Sequence, residues 1–364
     1  MAGPQATTSY RTDASKQHEV GIESRRLPTT FALELTQRCN NRCGYCYNAW
    51  RAPDLDYPTV GAGEMSLAQI ERAIAKLRSE VEVDIIALSG GEPTLRPDFT
   101  DIVDLIHSLG ITTQIITNGT HLTESLVEAT ARGSIFQVSL LSWQAETHDR
   151  LTGHPGAWNA VVDGMQNVHL AGARLVAVFV ATRENYRDLG PTVQLAMMLG
   201  AGSLLYNRIN IGGANLRQPD VLSMTPAMVE DNLTVLEEIA AQTGLPIATG
   251  VVIEPCMVDV GRYPHIRHGW CALAGEDATP IIDPAGNIRI CEHSPTILGH
   301  IERDSIRDIF TAHPYVKTFR STWPEECDGC EHPLRDLCRG GCRAAAEQAY
   351  GTLTKVDPFV RRSS

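Results

Sequence analysis

FALELTQRCNNRCGYC, residues 31–46, runs an apolar stretch directly into three closely spaced thiols. Residues 31–35 read as a buried strand, and the loop behind them sets Cys39, Cys43 and Cys46 at the spacing C-x3-C-x2-C. Working outward, the pattern predicts a helix over 67–78, capped by Ser66, with Leu67, Ile70, Ile74 and Leu77 on one face. Strands follow at 84–88, 111–117, 136–141, 175–181 and 204–209. Helices at 99–109, 122–131, 158–171 and 189–199 alternate with them, the first of these stopping at Gly110. A further helix, 226–242, has Thr225 as its cap and Pro226 just inside. Six β-then-α units predict an α/β fold, a partial (β/α)6 TIM-like barrel two units short of closure. Chemistry is then expected at the C-terminal strand ends. The expected organisation is a flexible tail over 1–28, a barrel core over 29–235 and a bridging segment over 236–270. A small, irregular cysteine-rich domain over 271–364 completes it.

Composition removes several classes. The 43 Asp and Glu against 31 Lys and Arg give a net charge of −12, so no basic excess is available to displace counterions from nucleic acid. No apolar run approaches the roughly 20 residues that span a bilayer. The first 28 residues lack the apolar segment of a secretory signal. A cytoplasmic protein without membrane or nucleic-acid partners is expected. Ten cysteines in a reducing compartment read as metal or cluster ligands rather than disulfides. Three are Cys39, Cys43 and Cys46; the other seven begin at Cys256. By spacing alone, the first trio fits a [4Fe–4S] cluster with one open iron, a zinc site completed from afar, or three unrelated core cysteines.

The trio, with Tyr45 as the aromatic before the last cysteine, resembles the C-x3-C-x-aromatic-C signature of the radical S-adenosylmethionine (SAM) enzymes. The resemblance covers roughly residues 30–210. It implies that Cys39, Cys43 and Cys46 hold a [4Fe–4S] cluster whose open iron binds SAM. One-electron cleavage would then give a 5′-deoxyadenosyl radical that abstracts a hydrogen atom. Gly90-Gly91-Glu92-Pro93 resembles the family's GGEP-like turn after the second strand; on its own it would be an ordinary strand-to-helix turn. Glycines permit close backbone approach, and a carboxylate can accept hydrogen bonds from the SAM ammonium. The resemblance further places Asn118, at the end of the third strand, and Ser139, at the end of the fourth, beside SAM. The family's carboxylate-binding Arg position aligns with Thr152, leaving Arg150 as the substitute and Arg183 as its competitor.

The C-terminal cysteines resemble the SPASM extension of this superfamily, C-x(9–15)-G-x4-C followed by C-x2-C-x5-C-x3-C and a final C. Cys271, Gly286 and Cys291 fit the first part. Cys327, Cys330, Cys338 and Cys342 fit the second, with seven residues in the third gap. No final cysteine follows Asp357-Pro358, where the chain reads Phe359-Val360. The resemblance implies one or two auxiliary iron–sulfur clusters. One would use Cys271, Cys291 and Cys342, with Cys256 a candidate fourth ligand. The other would use Cys327, Cys330 and Cys338 and lack its fourth, with Asp357, a His, water or substrate as candidates. Without the N-terminal loop, the same cysteines would read equally as a zinc ribbon. Cys256 also reads as a hydrogen-atom donor or a buried small hydrophobe. The family implies an oxidoreductase acting on a peptide, in ribosomal peptide natural product maturation, with a small-molecule dehydrogenase or epimerase as the alternative. A non-enzymatic iron–sulfur carrier or zinc-binding protein is the alternative of another class. A flavodoxin- or ferredoxin-type reductant is implied as a partner. Because the barrel starts near residue 30, any leader-peptide-binding function is expected on a separate protein.

Overall fold

The computed structural model describes residues 27–52, 63–272 and 277–363; the tail expected over 1–28 lies outside these except for Leu27 and Pro28. Eight parallel strands lie side by side in chain order. They are β1 (Thr30–Thr36), β2 (Ile85–Gly90), β3 (Thr112–Thr117), β4 (Ser134–Ser139), β5 (Arg174–Ala181), β6 (Ser203–Arg208), β7 (Ile247–Thr249) and β8 (Ile266–Arg267). β9 (Ile281–Ile282) pairs parallel to the outer edge of β1, and β10 (Asn287–Arg289) and β11 (Ile297–His300) extend it antiparallel. The result is an open eleven-stranded sheet with β8 and β11 at its edges. With β9 on its outer edge, β1 does not pair with β8, so the barrel stays open.

The six expected β/α units are present. β1 is buried at six of its seven positions, as a strand covered on both faces must be. Helix Leu67–Glu80 opens on a capping box, in which Ser66 Oγ accepts from the Gln69 amide and the Gln69 side chain reaches back. Its buried face is Ile70, Ala73, Ile74 and Leu77. Helices Phe99–Ser108, Ala157–Leu170 and Leu189–Met198 stay close to their expected bounds. The helix expected over 122–131 is instead Glu124–Thr130, because Thr123 caps it through the Leu126 amide. Leu122 packs beneath, outside the helix, and its carbonyl accepts from Asn167 Nδ2.

Two features correct the expected organisation. Helix Pro226–Thr243, capped by Thr225, runs straight through the boundary placed at 235/236. The segment expected to bridge carries β7 and β8, which continue the barrel sheet. Strands of three and two residues are too short to show a period of two. Past β9 the chain is built of short pieces, including helices Ile306–Ala312, Pro314–Ser321 and Arg343–Tyr350. No helix among the described residues is long and apolar enough to cross a membrane.

Candidate active site

The cysteine loop leaves β1 at the C-terminal edge of the sheet and is clamped from two sides. On one side sits the turn after β2. The Gly91 amide donates to the Thr36 carbonyl (2.7 Å) and the Glu92 amide to the Arg38 carbonyl (2.8 Å). A Cβ on Gly91 would lie 2.2 Å from that Arg38 oxygen, so only glycine lets the two chains meet. On the other side sits the loop after β6. The Ala214 amide donates to the Cys46 carbonyl (2.8 Å), and a Cβ on Gly213 would strike the backbone of Cys46, Tyr47 and Asn48. Asn48 Nδ2 ties the end of the loop to the Gly90 carbonyl at 3.1 Å.

The three thiols are free and half-buried. Burial, helped by the neighbouring Cys46, pushes the Cys43 thiol up to about 12; burial raises Cys39 and Cys46 as well. The Tyr45 side chain bonds to Cys43. Without a cation these sulfurs are neutral thiols, and coordination to a positive centre is what would make them thiolates. Among the described residues, no three His, Cys, Asp or Glu side chains are arranged to hold one metal ion. A polynuclear cluster spaces its ligands more widely, one thiolate to an iron. Three thiols on one rigid loop suit that donor set.

Glu92 is fully buried and both of its oxygens are engaged. Oε1 accepts from Thr94 Oγ1 (2.7 Å), Thr117 Oγ1 (2.7 Å) and the Thr94 amide (3.2 Å); Oε2 accepts from the Asn118 amide (2.7 Å). Burial raises this carboxyl, and those donors lower it. What the contacts show is a tie between the ends of β2 and β3. Pro93 is buried behind it at the start of a short 3₁₀ turn. Asn118 Nδ2 donates to Asn40 Oδ1 (2.8 Å) and reaches Cys39 Sγ at 3.9 Å, so the third strand end touches the cysteine loop. Ser139 closes β4, half-buried.

Arg150 lies on a helix that the sequence did not signal, Ala145–Thr152. It is half-exposed and pairs with Glu184 (Nε–Oε2 3.1 Å). Thr152, at the family's usual Arg position, is buried and donates to carbonyls of its own helix. Arg183 donates to the Ser223 carbonyl. Arg150 instead lines a cavity of about 450 Å³ with Cys43, Tyr45, Arg42, Arg51, Arg217 and Glu184. Four arginines against one carboxylate give the cavity a predominantly cationic lining. The sequence reading passed over Arg42 and Arg51, although both lie within five positions of a loop cysteine.

The later cysteines separate into two groups. Cys291 and Cys342 are each raised by burial and both feel Cys271, and Cys342 also feels Cys291, with Cys291 pushed up to about 12. Cys342 Sγ also accepts from Asn210 Nδ2 at 3.3 Å, just past β6. Cys327, Cys330 and Cys338 line one separate cavity, and Cys256 lines it with them. Asp357 is not available to that cavity as a ligand. It is fully buried, and its Oδ2 accepts from Arg208 Nη2 (2.8 Å) and the Cys342 amide (3.0 Å). His265 is exposed and held by Glu237. Arg343 is 1% exposed, and among the described residues none of its three guanidinium nitrogens has a hydrogen-bond partner. The thiols it feels are Cys271 of one group and Cys327 of the other. A buried guanidinium without an anion is costly, and anionic clusters held by those cysteines would supply one on either side.

Comparison with known proteins adds to this geometry. Residues 33–196 match the sequence model of the Radical SAM superfamily, and residues 271–331 that of the SPASM iron–sulfur cluster-binding domain. A PqqA peptide cyclase of Methylocella silvestris is 29% identical over 345 residues, covering 92% of this chain and 88% of that protein. An AdoMet-dependent heme synthase of Methanosarcina barkeri is 26% identical, covering 91% and 96%. The structure of Streptococcus suis SuiB bound to the precursor peptide SuiA superposes with a TM-score of 0.70 at 18% identity, covering 92% of this chain and 76% of that one, and so shares the fold. The two matched domains imply [4Fe–4S] clusters and SAM. The chain belongs to the radical SAM superfamily and carries a SPASM-type iron–sulfur cluster-binding domain toward its C-terminal end.

Proposed function

We propose that this chain is a radical SAM oxidoreductase that modifies a peptide, by oxidation or cross-linking. The observation that carries the reading is the clamped loop of Cys39, Cys43 and Cys46, beside an arginine-lined cavity of about 450 Å³. A cluster on those three cysteines would supply the electron that cleaves bound SAM, and the 5′-deoxyadenosyl radical so formed would take a hydrogen atom from the substrate. The chain's own part is positioning. Glu92 and Asn118 lock two strand ends against the loop. Arg42, Arg51, Arg150 and Arg217 offer donors to acidic groups of the substrate, with Glu184 fixing Arg150. The cysteines after residue 255 would hold the auxiliary clusters, giving the substrate's electron an exit. A flavodoxin- or ferredoxin-type protein would deliver the first electron, and a separate protein would bind any leader.

Peptide modification is supported by the relatives. The M. silvestris protein is a PqqA peptide cyclase, and SuiB was captured with a precursor peptide. A small-molecule substrate is the second reading, favoured by the M. barkeri relative that is a heme synthase. The test is anaerobic incubation of the reconstituted protein with SAM, reductant and the small peptides encoded beside its gene. We expect 5′-deoxyadenosine and a peptide lighter by two hydrogens, and Cys43→Ala should abolish both. Formation of 5′-deoxyadenosine with every peptide unchanged would favour the small-molecule reading. No 5′-deoxyadenosine from an iron-loaded protein would sink the proposal.

A further inference from the structure

The second cavity of the cysteine-rich region holds four thiols where the sequence pattern offers three. Cys327, Cys330 and Cys338 come from the C-terminal segment, and Cys256 comes from the loop that follows β7. Those four cysteines sense one another. Cys256 lies within electrostatic range of Cys330, Cys327 of Cys330 and Cys256, and Cys338 of Cys256. Cys291 and Cys342 both feel Cys271, and Cys342 feels Cys291, so these three form a separate group.

The loop that delivers Cys256 is fixed. Glu254 starts a tight turn in which its carbonyl accepts from the Met257 (2.8 Å) and Val258 (3.1 Å) amides. The Glu254 side chain is fully buried against Arg208 (3.0 Å). The far wall of the cavity is close-fitting. Gly340 has φ +80°, and a Cβ there would meet Pro324 at 2.4 Å and Cys327 Sγ at 3.2 Å. Val360 lines the same cavity. It lies within three positions of Asp357-Pro358, where the pattern calls for its last cysteine, and its side chain cannot ligate iron.

We infer that Cys256 is the fourth protein ligand of an iron–sulfur cluster held by Cys327, Cys330 and Cys338, taking over from the final cysteine that this chain lacks. The inference rests on the reading of the C-terminal cysteines as cluster ligands given above. It assigns a complete thiolate set to the second auxiliary cluster, closed to substrate. It also makes that cluster a cross-link between the barrel's β7 loop and the C-terminal segment. Two other side chains able to ligate iron line the cavity among the described residues: Glu254, whose Oε1 accepts from Arg208, and His332, whose Nδ1 accepts from the Leu334 amide.

The test is iron and sulfide content, with EPR, on the anaerobically reconstituted full chain. The proteins are the parent, Cys256→Ala, Cys256→Ser, Cys330→Ala and Cys271→Ala, with near-UV circular dichroism to confirm folding. Cys256→Ala should lose iron and, when oxidised, show the EPR signal of a three-iron cluster that has shed the iron its fourth ligand held. Cys256→Ser, which keeps an oxygen donor of similar size, should retain more iron with an altered EPR signal. Adding Cys256→Ala to Cys271→Ala should deepen the iron loss; adding it to Cys330→Ala should not. Iron content and EPR identical to the parent in both Cys256 variants, while Cys330→Ala loses iron, would overturn the inference and leave the cluster reading standing. Iron unchanged in Cys330→Ala as well would overturn the cluster reading itself.

Discussion

His148 shows how a single buried group sets a pH limit on this fold. It is 1% exposed, and its Nδ1 accepts from the Leu141 amide at 3.2 Å, which requires the neutral ring. Its Nε2 is buried with no hydrogen-bond partner among the described residues. Burial lowers its pKa from 6.5 to about 4. The unfolded chain therefore takes up the proton more readily than the folded one. His148 contributes its stability in full above pH 6.5 and loses it as the pH falls toward 4, for a total of about 3 kcal/mol. In His148→Asn a side-chain oxygen can still accept from Leu141, but nothing titrates. Urea midpoints measured between pH 7 and pH 4 should fall less steeply for that variant than for the parent. Parallel profiles would place the acid sensitivity elsewhere.

At the level of elements, a buried ion pair reinforces the join between β1 and the C-terminal hairpin. Glu34 on β1 accepts from Arg289 Nη2 on β10 at 2.5 Å, across β9, and both side chains are buried. Arg289 Nη1 also holds the Glu292 and Ser294 carbonyls. Removing one member of a buried pair leaves the other charge without compensation, so Arg289→Met should cost about 3–5 kcal/mol, and Glu34→Leu added to it should restore much of the loss. Equal denaturant midpoints for the single and double variants would show that the two residues do not act as a pair. The pair also marks how far the sequence could be read. The six barrel units were legible because each pairs a strand of six to eight residues with a helix-long apolar stripe, as in Ile70, Ala73, Ile74 and Leu77. β7 to β11 were not, because strands of two to four residues are defined by their neighbours rather than by a pattern of their own. Helix Ala145–Thr152 was missed because it buries only His148, Leu151 and Thr152, two of them polar. At the candidate site, cysteine spacing and the GGEP turn were legible as local strings. The grouping of Cys256 with Cys327, Cys330 and Cys338 was not, since it depends on how distant segments fold together.

Across the whole molecule, the C-terminal segment is bolted to the barrel at Arg208. This residue ends β6 and is fully buried. Its Nη2 meets Glu254 Oε1 at 3.0 Å and Asp357 Oδ2 at 2.8 Å, its Nε holds the Val252 carbonyl, and the Phe359 ring lies over it at 4.3 Å. Three segments up to 149 positions apart thus share one guanidinium. Two carboxyls face a single cation there. Burial raises Glu254 to about 8, so near neutral pH it carries much of the extra proton, while Asp357 also fixes the Cys342 amide. Asp357→Asn keeps the shape but removes the ionic partner, and it can set an amide donor against the Cys342 N–H. The expected loss is about 1–3 kcal/mol, from donors left unsatisfied in the interior. Because the bolt lies at one end, the loss should be local. Hydrogen exchange should quicken in residues 338–360 and around β7 while β2 to β5 keep their protection, and a protease should cut the C-terminal segment first. Exchange that quickens evenly over all strands would mean that Arg208 supports the barrel as a whole and not the docking of its C-terminal segment.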